Sequence, residues 1–260
     1  MISIEQLIPF YPVELHPFRE FILREYLQHK ILQIIFDDPG SAKRLSFIGG
    51  TCLRIVHGSH RFSEDIDFDN TGLTKADFIA ISKRILSRLE MEGYSVEIKN
   101  VFKNAFHCHI RFPGLLHAQK LSGYKTQKIL IQLDTEPQHY AFTPDKRIIN
   151  KFDIFTEIPT APLTLLLAQK FYTIINRNRK MGRDFFDIVF LLSKNIRPDY
   201  EFLKLKTGIS SSLELKERVL RVIENLDMNS LAMDVEPFLF HKSDTNKVKL
   251  FNKFIRQVEL

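Results

Sequence analysis

The sequence predicts an α+β protein: a mixed β-sheet with flanking helices over residues 1–157, then a helical portion over residues 158–260. Three observations set this reading. Strand-length apolar segments with partial period-two alternation crowd the first part. After the two prolines of IPTAPLT (158–164) the apolar spacing becomes helical and stays so. Hydrophobic residues make up 44% of the chain, with 23 Phe and no Trp, enough to fill a core in each part.

The elements follow in order. PFREFILREYLQHKILQIIFDD places Phe21, Tyr26, Ile31, Ile34 and Ile35 at helical spacing, and DPGS at 38–41 ends the pattern. RLSFI (44–48) is a short strand, Gly49-Gly50 a tight turn, and TCLRIVHG (51–58) a helix with Thr51 near its start. SEDIDFDN returns as a strand, and Thr74 can cap a helix running to about Glu92. SVEIKNVF, AFHCHIRFP and QKILIQLDTEP have strand length, and another extended stretch is expected near 146–156. Beyond the prolines, LTLLLAQKFYTIINRNRK, RDFFDIVFLLSK, SSLELKERVLRVIENL and DTNKVKLFNKFIRQVEL read as helices. On the first of these, Lys170, Thr173, Arg177 and Lys180 form one polar stripe, and Leu167, Phe171, Ile174 and Ile175 fill the remainder.

RFSEDIDFDN carries the chemistry. On a strand, alternate residues share a face. Asp65, Asp67 and Asp69 therefore crowd one side while Ile66 and Phe68 fill the other. Like charges that close repel. A divalent cation removes the repulsion, and Mg²⁺ is commonly held by one or two carboxylates with substrate phosphates and water. Asp65 and Asp67 are the expected pair; Asp69, beside Asn70, suits a turn or cap. Gly49, Gly50 and Thr51, where a strand gives way to a helix, can offer main-chain N–H groups to phosphate. Asp134 stands near the end of an apolar strand and, if it lies beside the first pair, is a third carboxylate able to accept a proton from an attacking hydroxyl. Each has a plainer reading: an edge strand blunted by charge, or an ordinary strand–helix turn. Arg61 and Ser63 either touch phosphate or position the strand. His107 and His109 lack further ligands at metal-site spacing, and Cys52 is expected as a small core residue.

GGTCLRIVHGSHRFSEDIDFD resembles the first motif of AbiEii/AbiGii-type nucleotidyltransferases, the toxin halves of bacterial toxin–antitoxin pairs. LLLAQKFYTIINRNRKMGRDFFDIVFLL resembles that family's helical motif, and the two matches span about residues 45–192 in the right order. Thr51 replaces the serine usual in the wider superfamily, and the gap to Asp65 is slightly longer. The resemblance implies a DNA polymerase β-like nucleotidyltransferase fold. It also implies Mg²⁺ (or Mn²⁺) on Asp65, Asp67 and Asp134, and an NTP as co-substrate. Triphosphate oxygens would meet Gly49, Gly50 and Thr51, with Lys170 reaching them from the helical portion. Asp184 would complete the helical motif near the nucleotide, with Arg183 beside it; Arg177 belongs to the same basic stretch. The implied acceptor is RNA, first a tRNA 3′ end, and the implied partner is an antitoxin encoded nearby.

Charge distribution agrees with a polyanionic partner. Net charge is +6, and no acidic residue occurs from Ile98 to Leu133 or from Leu163 to Arg183. A solvated basic face would look the same. No apolar run nears ~18 residues, so no membrane partner is expected. MISIEQLIPFYPVE lacks a basic leader and an apolar core. Cys52 and Cys108 form no CxxC pair, which suits a reducing cytoplasm. The alternatives are the same fold acting on a small-molecule or protein hydroxyl, a DxD nucleotide-sugar glycosyltransferase, and a non-catalytic nucleic-acid-binding pseudo-enzyme.

Overall fold

The computed structural model describes every residue except Asn104. The chain forms two compact units: Met1–Gly58 with Phe62–Thr160, and Ser59–Arg61 with Ala161–Leu260.

The first unit is built on a mixed seven-stranded sheet. Its strands are β1 Leu45–Ile48, β2 Ile66–Asn70, β3 Glu97–Phe102, β4 Phe106–Pro113, β5 Lys128–Glu136, β6 Asp145–Lys151 and β7 Ile154–Thr160. Their order across the sheet is β3-β4-β5-β2-β1-β7-β6. The β2–β5 and β1–β7 pairs are parallel and the others antiparallel. Alternation decides the faces. Ile129, Ile131 and Leu133 of β5 are buried with Ile66 and Phe68 of β2 and Cys108, Ile110 and Phe112 of β4. Helices α1 (Arg19–Phe36), α2 (Gly49–Ile55) and α3 (Lys75–Met91) belong to this unit. Phe36 of α1 meets Phe68 edge-on, and Phe78 of α3 packs on Phe102 and Phe106, so these two helices cover the apolar face. Thr74 caps α3 in a reciprocal box with Asp77.

Three local expectations shift. The glycine pair opens α2 itself and forms no separate turn. The stretch near 146–156 is a full hairpin of β6 and β7. Strand β7 also continues through Pro159 to Thr160, past the boundary expected at residue 157. Pro159 is tolerated because β1 registers with β7 only at Thr160, leaving little ladder to lose.

The second unit is helical: α4 Leu163–Asn176, α5 Gly182–Leu192, α6 Tyr200–Thr207, α7 Ser212–Ile223, α8 Met228–Val235 and α9 Phe251–Gln257. Helix α5 is buried along almost its whole length. Gly182 makes this possible: a β-carbon there would lie 1.8 Å from the Leu231 carbonyl oxygen of α8. Its N–H donates to Asp234 at 2.9 Å. Helix α4 stops at Asn176, so Arg177 and Lys180 leave the expected stripe. RNRK has no apolar residue to extend the buried face, and the Lys180 ammonium closes the helix by donating to the Ile175 and Arg177 carbonyls. The C-terminal helical pattern breaks at Leu250, leaving a short helix Asn246–Lys249 before α9. No helix among the described residues is long and apolar enough to cross a membrane.

Candidate active site

Strand register assembles the first group of residues. Asp67 lies beside Asp134 on parallel neighbours β2 and β5, and Asp134 lies opposite His107 on β4. Directly paired residues share a face. The row His107–Asp134–Asp67 therefore stands on the sheet face opposite Ile66, Leu133 and Cys108. On the far side of Asp67 is Ile48 of β1, followed at once by Gly49.

Gly49 has φ +77°, and a β-carbon on it would lie 2.3 Å from Oδ2 of Asp67. Glycine is thus required twice, for the left-handed backbone and for the approach of the carboxylate. Gly50 and Thr51 are buried in the same helical turn. The Thr51 hydroxyl donates to the Asp65 carbonyl, tying α2 to the chain as it reaches β2. With that hydroxyl engaged, Thr51 has its main-chain N–H to offer a phosphate. Gln28 of α1 holds the same segment, donating to the Ser63 and Glu64 carbonyls at 3.0 and 2.8 Å. Asp69 lies inside β2 and accepts the Gln138 N–H at 2.9 Å, which anchors the loop after β5 in place of the expected local turn.

Asp134 is held on both sides. His107 Nδ1 lies 2.7 Å from its Oδ1, and the Gln132 amide donates to Oδ1 and Oδ2 at 3.0 and 2.8 Å. Gln132, two residues before Asp134, was accessible from alternation alone. The His107 contact was not, because its register depends on a long β4–β5 connection containing a short helix, Leu115–Ala118. Among the described residues no three acidic, imidazole or thiol side chains converge as a ready-made metal cluster. A carboxylate pair completed by substrate oxygens is still the donor set Mg²⁺ favours, and the bare Cα of Gly49 keeps the side of Asp67 clear.

Arg54 of α2 reaches Glu25 of α1 at 2.7 Å, and Lys151 of β6 reaches the same carboxylate at 2.7 Å. The Tyr11 hydroxyl donates to it at 2.8 Å. Burial opposes the charge on Glu25, but Arg54 and then Lys151 prevail, and its pKa falls to about 2. Helix α2, which presents Gly49–Thr51, is thereby bolted to α1 and the sheet.

The helical unit holds a second cluster. Arg61 is almost fully buried and grips Asp187 of α5 with Nε at 2.8 Å and Nη2 at 2.7 Å. This fork engages Arg61 with protein, favouring its positioning role over the phosphate contact weighed from sequence. Lys170 of α4 lies 2.9 Å from Asp184 and 2.8 Å from Asp187. Burial disfavours the ammonium, yet Asp184 and Asp187 raise its pKa. Burial likewise opposes the Asp187 carboxylate, and Arg61 and Lys170 lower its pKa. Arg177, half exposed, lies 3.8 Å from Oδ2 of Asp184, an oxygen that accepts no hydrogen bond. Arg183 is half-buried in the first turn of α5.

This sheet, with its flanking helices and a glycine-opened helix beside strand carboxylates, has the nucleotidyltransferase fold. The AbiEii family, described as "Nucleotidyl transferase AbiEii toxin, Type IV TA system", matches residues 30–241, and the chain belongs to that family of nucleotidyltransferase toxins. Several solved structures share its fold, among them these two. MenT4, the nucleotidyltransferase toxin Rv2826c from Mycobacterium tuberculosis H37Rv, is 12% identical with a TM-score of 0.60, covering 100% of this chain and 91% of its own. JHP933 from Helicobacter pylori is 16% identical with a TM-score of 0.54, covering 92% of each chain. No curated protein sequence matches the chain.

Proposed function

We propose that the protein is a divalent-metal-dependent nucleotidyltransferase that moves a nucleoside monophosphate from an NTP to RNA in the cytoplasm, a tRNA 3′ end being the first acceptor to test. The observation that carries this reading is the placement of Asp67 between Asp134 and the bare Cα of Gly49. Asp65, Asp67 and Asp134 would hold Mg²⁺, which when bound neutralises charge on the phosphates and the attacking oxygen.

The chain's own residues do the rest. Gly49, Gly50 and Thr51 bind triphosphate oxygens through main-chain N–H groups. The family resemblance also assigns Lys170, Arg177, Arg183 and Asp184 to the nucleotide, with the Lys170 ammonium already held by Asp184 and Asp187. The acceptor hydroxyl oxygen bonds to the α-phosphorus, the bond from that phosphorus to the β-bridging oxygen breaks, and pyrophosphate leaves. Asp134 takes the hydroxyl proton, oriented by His107 and Gln132. Positioning and charge neutralisation supply most of the rate. The acid-free tracts support RNA as acceptor, and family membership supports an antitoxin as the biological partner.

The test is incubation of the purified protein with Mg²⁺, each α-³²P-labelled NTP and total bacterial RNA, beside Asp65→Ala and Asp67→Ala. Label in small RNA, lost in both variants, is the expected result. Label in a protein band would overturn the acceptor, and label nowhere would overturn the reaction.

A further inference from the structure

The strand register that builds the carboxylate row also orders its surroundings. Moving away from Asp134 on the same sheet face, the next row holds Lys99 of β3, His109 of β4 and Gln132 of β5. The row after that holds Glu97, Arg111 and Leu130, and Lys128 begins β5 beyond it. Lys99 and Lys128 are exposed, and His109 and Arg111 half-buried. Glu97 is the sole acid among these residues, and it is taken up by Lys128 at 2.8 Å. The cationic lane continues into the β4–β5 loop, where Lys120 and Lys125 flank Tyr124, 76% exposed. From Asp134 to Lys128 is six residues of strand, about 20 Å.

We infer that this face of β3, β4 and β5 is the acceptor-binding surface. A single-stranded RNA end would lie along it with its terminal hydroxyl at Asp134 and its preceding nucleotides running over Lys99, His109 and Arg111 toward the Tyr124 loop. This rests on the proposed RNA acceptor and adds where the RNA sits and in which direction. Charge complementarity names the occupant: a lane of cations with its one acid paired suits a phosphate backbone. An exposed tyrosine at the far end offers a stacking platform for a base. Gln132 and His109, side by side in the lane, can hydrogen-bond nucleotide edges or sugar hydroxyls.

The experiment measures binding and chemistry separately on the full chain. Filter binding with bacterial tRNA, without NTP, compares the native protein with Lys99→Glu/Arg111→Glu. A control, Lys249→Glu/Lys253→Glu, makes the same change in net charge at exposed sites of the helical unit. The inference expects the lane variant to bind at least tenfold more weakly, with a shallower salt dependence and unchanged Mg²⁺–NTP binding. Its melting temperature should fall by no more than a few degrees, through the new repulsion between position 111 and Glu97 opposite it. The control should bind like the native protein. Equal loss in both variants, no loss in the lane variant, or equal competition by polyglutamate and tRNA would each overturn it. Label incorporation is read independently: native protein that binds tRNA through the lane yet labels no RNA would refute the proposed reaction and leave the lane standing.

Discussion

At the scale of single residues, two positions carry the sharpest consequences. Gly49→Ala puts a methyl where the Asp67 carboxylate lies, at a φ that L-residues rarely adopt. Strain of this kind costs about 1–3 kcal/mol, and the added carbon must push Asp67 out of its row. The expected outcome is a folded protein with a lowered melting temperature and nucleotidyl transfer reduced at least a hundredfold. Transfer close to native would mean that Asp67 does not work in the position it occupies. Arg61 acts differently. Its charge and that of Asp187 are both buried, and removing Arg61 leaves Asp187 with Lys170 as its one remaining cation among the described residues, a loss bounded by the about 3–5 kcal/mol of a fully broken buried pair. Arg61→Gln should therefore unfold at markedly lower urea. Arg61→Gln/Asp187→Asn, which keeps shape and hydrogen bonding while removing both charges, should recover most of the loss. Additive losses in the double variant would show that the two side chains are not energetically coupled.

At the scale of elements, the anchor of α2 sets an acid limit on stability. Burial, only partly offset by Glu25, lowers His29 from 6.5 to about 4. The unfolded chain takes up that proton first, so stability is level above pH 6.5 and falls as pH drops toward 4. Glu25 falls from 4.5 to about 2. Its contribution is complete above pH 4.5 and is lost as pH falls toward 2, a span worth on the order of 3 kcal/mol. Urea unfolding at pH 7, 5.5 and 4.5 should show a progressive decline, and His29→Gln should flatten it between pH 6.5 and 4. A variant as acid-sensitive as the native protein would remove His29 from the account. The elements also show what local sequence can and cannot disclose. The DxD strand, α3 with its Thr74 cap, and the strands around His107 and Asp134 were legible because alternation, capping and apolar spacing are local signals. The stop of α4 at Asn176 was misread because 3.6-residue spacing continues in RNRK, although burial does not. Helices α6 and α8 were missed: each is eight residues long with few buried positions. The His107–Asp134 contact and the burial of Arg61 against Asp187 depend on pairings 27 and 126 residues apart, which no local pattern encodes.

At the scale of the whole molecule, charges fall into two populations that salt should separate. One is buried and ion-paired: Arg61 with Asp187, Lys170 with Asp184 and Asp187, and Arg54 with Glu25. The other is exposed and lies in tracts without acids, among them Lys99, Lys103, Lys120 and Lys125. Mobile ions screen exposed charges over about 8–10 Å and reach buried pairs poorly. The proposed RNA binding would draw on the second population through release of counterions, with a slope of about −0.7 per contact for a single strand. Four such contacts predict a loss of about 50-fold in affinity between 50 and 200 mM salt. Folding draws on the first population, so the melting temperature should move by no more than a few degrees over the same range. Filter binding and thermal melts on one salt series test both limbs. Affinity that ignores salt would assign RNA recognition to apolar or hydrogen-bonding contacts. A melting temperature that fell with affinity would mean that the exposed cations hold the fold and are not held ready for a ligand.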